Sequence, residues 1–217
     1  MENWINQNII TMNFKISYAI TACNEHKELN ELLEFLLGHK RDEDEVVVQT
    51  DSDSSTKEVS KVISSHNLKE NKFPLNKDFS SFKNNLKKLC SGDYIFQIDA
   101  DELPSEEIVC NLHKILESNL DIDLFLVPRI NLVQGITDEH IKKWNWKTNE
   151  QGWVNWPDYQ YRIFKNTFNI KWRNKVHEQL IGAQTGTQLP QTIQYALTHI
   201  KDIKRQESQN EFYEDMT

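Results

Sequence analysis

Three carboxylates crowd one short stretch of the chain, Asp99-Ala100-Asp101-Glu102. On an extended backbone, side chains two residues apart point the same way. Asp99 and Asp101 can therefore share one hard divalent cation, and Mg²⁺ or Mn²⁺ takes such oxygen ligands while bridging to a diphosphate. An ion held there would act as a Lewis acid on a departing phosphate. Farther along, Val176-His177-Glu178 sets an imidazole beside a carboxylate. A carboxylate within hydrogen-bond reach of an alcohol removes its proton as the alcohol attacks, which typically contributes about 10²–10⁴-fold. Glu178 is the first candidate for that base and Asp158 the second. Arg162 has two readings, a bidentate grip on phosphate oxygens or an ion pair with Asp or Glu. Glu178 as a surface carboxylate and His177 as a structural histidine are the plain alternatives, and for His199 the structural reading is preferred.

An Asp-x-Asp pair alone is commonly a solvated turn, so its meaning depends on what carries it. Here it follows Asp93-Tyr94-Ile95-Phe96-Gln97-Ile98, which reads as a strand. Upstream, residues 14–22 read as a first strand, and Leu29, Leu32, Leu33, Leu36 and Leu37 fall at helical spacing, with Gly38 as the stop. Glu45 to Thr50 carries three consecutive valines, as expected of a strand buried on both faces. A helix follows near 56–65, and a short extended piece lies at Phe73-Pro74-Leu75. Another helix carries Phe79, Phe82, Leu86 and Leu89 and stops at Gly92. Pro104 and Ser105 open a further helix, with Glu106 and Glu107 in its first turn, and Leu124 to Val127 is one more buried strand.

Strands alternating with helices imply an α/β architecture with a mainly parallel sheet. Ligands of such sheets gather at the carboxyl ends of the strands. The clusters Cys23 to Glu25, Gln49 to Asp53 and Asp99 to Glu102 all sit at such ends. Beyond residue 134 the texture changes. Trp144, Trp146, Trp153 and Trp156 fall close together, and Tyr159 to Trp172 reads as a hairpin turning near Asn166–Asn169. Indole faces stack on sugars or fill cores, so at most one or two of the four belong to an acceptor side.

The composition suits a soluble globular chain: of 217 residues, 38% are hydrophobic and 27% charged. A net charge of -8 argues against a nucleic-acid partner. Cys23, Cys90 and Cys110 form no CxxC pair and read as free thiols of a reducing compartment. No apolar stretch approaches the roughly 20 residues of a membrane span. The opening MENWINQNIITM has no leader-like pattern, and the expected location is the cytoplasm.

Taken together, Asp78-Phe79-Ser80-Ser81-Phe82-Lys83-Asn84 and Ser91-Gly92-Asp93 through Asp99-Ala100-Asp101-Glu102 resemble family 2 glycosyltransferases. The resemblance is closest to the bacterial branch that modifies lipopolysaccharide cores and related glycans, with its "DF…RN…GDW…LDADE" pattern. Tyr159 to Lys165 and Val176-His177-Glu178 resemble that branch's "fQ.RLFR" and "HE" motifs, in the same order. The resemblance implies a GT-A (Rossmann-like) fold over residues 1–217, with a nucleotide-sugar half at about 13–103 and an acceptor half at about 104–217 that ends in a small hairpin and helix region. It implies transfer of a hexose, with inversion, from a UDP- or GDP-sugar to a hydroxyl of a glycan, lipid-linked or protein acceptor, assisted by Mn²⁺ or Mg²⁺. Thr21, Asn24 and Glu25 would line the nucleotide pocket, and Lys83 and Asn84 match the "RN" pair on its nucleotide side. Asp99 would approach the ribose or the metal, Asp101 would ligate the ion, and His177 would complete its shell or touch the diphosphate. The family's base-reading acid at the end of strand two falls on Gln49, or on Asp51 if the alignment shifts. Two rival functions remain. A sugar-nucleotide nucleotidyltransferase would carry a Gly-rich loop where this chain has Ala22-Cys23-Asn24-Glu25-His26. A non-catalytic nucleotide- or glycan-binding module would not need Asp99, Asp101, His177 and Glu178 together.

Overall fold

The computed structural model describes residues 14–214, with side chains to residue 208. The leader reading of MENWINQNIITM lies outside the described residues. A seven-stranded sheet runs in the order β11-β6-β8-β4-β1-β2-β3. Its strands are β1 (Ile16–Ala22), β2 (Glu45–Asp51), β3 (Glu70–Phe73), β4 (Tyr94–Asp99), β6 (Leu124–Val127), β8 (Gln160–Lys165) and β11 (Gly186–Gln188). A second sheet has the order β5-β12-β7, from β5 (Glu102–Pro104), β7 (Arg129–Gln134) and β12 (Leu197–Asp202). A third pairs β9 (Lys171–Arg173) with β10 (Gln179–Ile181). The helices are α1 (His26–His39), α2 (Lys57–Ser65), α3 (Phe79–Leu89), α4 (Glu106–Glu117), α5 (Asp138–Lys143) and α6 (Ile203–Glu214).

The apolar periodicity explains the layers. Alternate residues of β1 face opposite sides of the sheet. Ile16, Tyr18 and Ile20 enter one core with Leu29, Leu32, Leu33 and Leu36 of α1 and Leu112 and Leu116 of α4. Ala19 enters the other, with Leu86 of α3, Ile95, Phe164 and Trp172. Thr56, Asp78 and Ser105 cap α2, α3 and α4 by accepting from backbone N–H groups three residues on. α1 runs through Gly38 to His39 instead of stopping there; the glycine faces open space, so nothing forces the turn. At Gly92 no side chain fits: a Cβ would lie 2.7 Å from Ser17 N, and the Gly92 N–H donates to Ser17 Oγ at 2.8 Å. That close approach brings β4 alongside β1.

The expected hairpin does not form. β8 lies antiparallel between β4 and β6, whereas β9 pairs with β10. Arg162, Ile163 and Phe164 are all buried, which needs cover on both faces of the strand and so an interior place in the sheet. Three parallel strands, β1, β2 and β4, end side by side at Ala22, Asp51 and Asp99. The second sheet is set beside them, because the chain passes directly from Asp99 at the end of β4 into β5 at Glu102.

Candidate active site

The strand ends open into a cavity of about 720 Å³ lined by Thr21, Asp51, Lys83, Asp99, Asp101, Asp158, Arg162, Glu178 and His199, among others. That volume suits a ligand of nucleotide-sugar size. Asp99, the last residue of β4, accepts from Thr21 Oγ1 at 2.7 Å on one oxygen and from Arg162 Nη2 at 2.7 Å on the other. Burial acts to raise its pKa, but the Arg162 and Lys83 charges hold the carboxyl well below the usual range. Arg162 also donates to Glu102 Oε1 at 2.5 Å, and Arg129 Nη1 donates to the same oxygen at 2.9 Å. The Arg162 guanidinium is thus kept charged against its burial by two carboxylates. It serves as an internal tie more than as a free phosphate clamp.

Asp101 faces the other way. Its Oδ2 lies 3.1 Å from His199 Nε2 and 3.2 Å from Arg205 Nη2. Burial favours the neutral form of Asp101, yet the hydrogen bond and charge of His199 hold its pKa down at about 2. The register of the second sheet puts His199 there, since it pairs with Glu102 on one side and Asn131 on the other. Asn131 Oδ1 sits 3.0 Å from His199 Nδ1 and fixes the ring orientation.

The Glycosyl transferase family 2 model matches residues 17–181. The chain belongs to glycosyl transferase family 2. No curated protein matches it significantly. Among solved structures it is similar to Staphylococcus aureus TarS residues 1–349 in complex with UDP, at TM-score 0.61 and 16% identity, over 86% of this chain and 60% of that one. The same TarS fragment in complex with UDP-GlcNAc gives TM-score 0.61 and 17% identity over 88% and 59%. At such identity the likeness establishes the fold, and the chain spans about 60% of the length of those structures.

Within this family 2 fold, several expected site residues reach the cavity and others do not. Thr21, Glu25, Asp51, Lys83, Asp99, Asp101, Arg162, His177 and Glu178 line it. Gln49 does not: it is fully buried, donating to Phe82 O at 2.7 Å and accepting from Asn85 at 2.8 Å. Asp51, two residues on, is fixed by the backbone N–H of Leu75 at 3.0 Å, so of the pair it is Asp51 that lines the cavity. Asn84 is also drawn away. It clamps the Trp172 backbone, donating to its carbonyl at 2.8 Å and accepting from its N–H at 2.9 Å. Asn24 is exposed outside the cavity lining. Burial pushes the Cys23 thiol up to about 11, so this cavity-lining cysteine is no nucleophile.

The two candidate bases differ. Asp158 Oδ2 accepts from Arg129 Nε and Nη2 and from Asn131 Nδ2, and its Oδ1 accepts from Gln160. Burial opposes its charge, but the Arg129 charge and the hydrogen bonds from Asn131, Arg129 and Gln160 together hold its pKa low. So heavily engaged a carboxylate is a weak proton acceptor. Glu178 accepts from Lys83 Nζ at 2.5 Å, and Lys83 is itself buried over the Trp172 ring. His177, one residue earlier, has φ of +50°, a conformation uncommon outside glycine that recurs at functional sites.

The expected metal trio does not gather. Among the described residues no three His, Cys, Asp or Glu side chains converge as a metal site, and both oxygens of Asp99 are engaged by Thr21 and Arg162. The residues that fit an ion are Asp101 and His199. Their 3.1 Å separation is close to the roughly 3 Å between neighbouring ligands of an octahedral ion at about 2.1 Å. His199 is thus the functional candidate that the sequence reading took as structural. Its signal lies in the β5–β12 register, which pairs His199 with Glu102 and so sets it beside Asp101, 98 positions away in the chain.

Proposed function

We propose that the chain is a metal-assisted glycosyltransferase that moves a sugar from a nucleoside-diphosphate sugar to an acceptor hydroxyl, with inversion. The observation that supports this best is the convergence of Asp101 and His199 in a 720 Å³ cavity that also contains Asp51 at the end of β2. Asp101 and His199 would hold Mn²⁺ or Mg²⁺. The ion supplies positive charge against the leaving diphosphate.

The remaining roles belong to the chain itself. Asp51 accepts a base N–H, and the TarS complexes, which hold UDP and UDP-GlcNAc, favour uridine for that position. Thr21 and Arg162 keep Asp99 ionised and aimed at the ribose. Glu178, held by Lys83, takes the proton of the acceptor hydroxyl as it attacks from the side opposite the diphosphate. Of the cavity's five Lys and Arg side chains, Lys83, Arg129, Arg162 and Arg205 are paired with its own carboxylates, and Lys201 is the fifth. A diphosphate entering a cavity whose five Lys and Arg side chains face six carboxylates needs added positive charge, which the ion would provide. The lipopolysaccharide-core resemblance supports a bacterial cell-surface acceptor.

The test is a thermal-shift series with UDP or GDP, each with and without Mn²⁺, followed by a donor-hydrolysis assay. Stabilisation that needs both nucleotide and metal, together with release of UDP from a UDP-sugar, is the expected result. Stabilisation without turnover on any donor would leave a binding module instead.

A further inference from the structure

We propose that Trp146 is the wall of an acceptor subsite that stacks on the apolar face of a pyranose, so that the attacking hydroxyl belongs to a sugar ring. This rests on the glycosyl-transfer reading above and names its acceptor class.

The tryptophans are not equivalent. Trp172 is 4% exposed and packs edge-on against Phe164, an ordinary core residue. Trp144, Trp146, Trp153 and Trp156 are all only half-buried. The segment that carries them has little core to fill: α5 buries no side chain, and between residues 134 and 158 only Val154 is buried. Leaving large indole surfaces wet is unfavourable, and a cluster of them beside a cavity points to a ligand. Of the four, only Trp146 lines the cavity.

The ring is held in place. The backbone N–H of Trp146 donates to Ile141 O at 2.9 Å, which fixes the main chain, and the Trp144 ring backs the Trp146 ring at 4.7 Å between centroids. Trp144 in turn stacks on His140 at 5.2 Å. The following loop is tied to β7 through Val154 N–H to Asn131 O at 2.9 Å, and to itself through Asn155 N–H to Lys147 O at 2.8 Å. An aromatic wall fixed before binding loses little conformational freedom when a ligand arrives.

Its place in the topology puts it on the acceptor side. Asp51 ends β2, next to the edge strand β3, with β1 and then β4 beyond it. Trp146 belongs to the segment tied to β7, and the cavity residues around it include Asn131, Val154 and Asn155. The Asp101–His199 pair is carried by β4's end and by β12, the neighbour of β7. The chemistry then narrows the ligand. A pyranose presents axial C–H bonds on one face and hydroxyls around its rim, which matches a flat indole beside the Asn155 amide. An alkyl chain needs a continuous apolar tunnel, and on this side Asn131, Asn155 and Asp158 interrupt the apolar surface of Leu132, Val133 and Val154.

The test follows the indole N–H signals of the full chain by proton–nitrogen NMR. UDP with Mn²⁺ is added first, then methyl β-glucopyranoside, methyl β-galactopyranoside or a serine-containing tripeptide in separate arms. Disappearance in Trp146→Phe identifies the Trp146 signal. The glycosides are expected to move it and the tripeptide to leave it. Trp146→Ala is expected to weaken glycoside binding about tenfold, and Trp146→Phe to keep most of it. If UDP binds but neither glycoside moves the signal, or the tripeptide moves it equally, the subsite is overturned; near-normal glycoside affinity in folded Trp146→Ala overturns it too. Glycosides that move the signal of a chain that binds no UDP would sink the transfer reading and leave the pyranose subsite standing.

Discussion

The two flanks of the cavity are built by different forces. On one flank, β1 and β4 pack apolar side chains under α1 and α3, β2 adds Val48, and α1 alone buries four leucines. On the other flank the segment from β7 to β8 buries few side chains and is shaped by directional bonds. Arg129 bridges Glu102 and Asp158, Arg162 bridges Glu102 and Asp99, and Asn131 holds both Asp158 and His199. Apolar packing fixes a shape through many weak contacts, so single losses are shared. A buried polar network fixes it through few strong ones, so one loss leaves charges unpaired. The flank of β1, β2 and β4 is therefore packed scaffold, and the flank from β7 to β8 depends on a few charges that cannot be removed singly.

The sharpest test of that contrast is Glu102→Ala. Glu102 has no exposed side-chain surface and serves two arginines, so its loss should cost about 3–5 kcal/mol in denaturant unfolding. A cost below about 1 kcal/mol would show the network to be ornamental. Leu33→Ala on the packed flank should cost about 2–5 kcal/mol through the cavity it leaves. Trp144→Ala on the exposed flank should stay within about 1 kcal/mol, and a larger loss would mean that the tryptophans form a core after all. In catalysis, Glu178→Gln should keep donor affinity and reduce turnover by about 10² or more. If Asp158→Asn alone does so, the proton goes to the more heavily bonded carboxylate.

The smallest effect lies at the far end of the sheet. Lys15, Ser17 and Ser91 hold the Glu45 carboxylate, and their hydrogen bonds outweigh burial to bring its pKa from 4.5 down to about 2. A depressed folded-state pKa contributes stability above the unfolded value, and that stability is lost as pH falls from about 4.5 toward 2. Glu45→Gln should therefore flatten the acid limb of the stability profile and leave its slope near neutrality unchanged. An identical acid limb would remove Glu45 from that role.

What the sequence made legible follows the same divide. β1, β2, β4 and their helices were readable because buried parallel strands carry continuous apolar runs and the helices a clear stripe. Gln49 and Asp51 could not be told apart, because both end the same strand and only the position of α3 hides one and leaves the other open. β8 was misread as half of a hairpin because its partners, β4 and β6, are distant in sequence. His199 looked structural because nothing near it in the chain announces Asp101. Asn84 matched a motif, but its side chain completes the Trp172 backbone. Local pattern names elements and turns; the register that brings Glu102, His199 and Asn131 into one row is a property of the folded sheets.

The proposed reaction depends on Asp101 and His199 together holding a divalent ion for a nucleoside diphosphate. The most direct test is calorimetry of UDP binding to the folded chain, with and without Mn²⁺, for the natural protein, Asp101→Ala and His199→Ala. Metal-dependent binding by the natural protein that both variants lose, while their circular dichroism stays native, is the result expected. Equal UDP affinity in all three, or affinity indifferent to Mn²⁺, would contradict it.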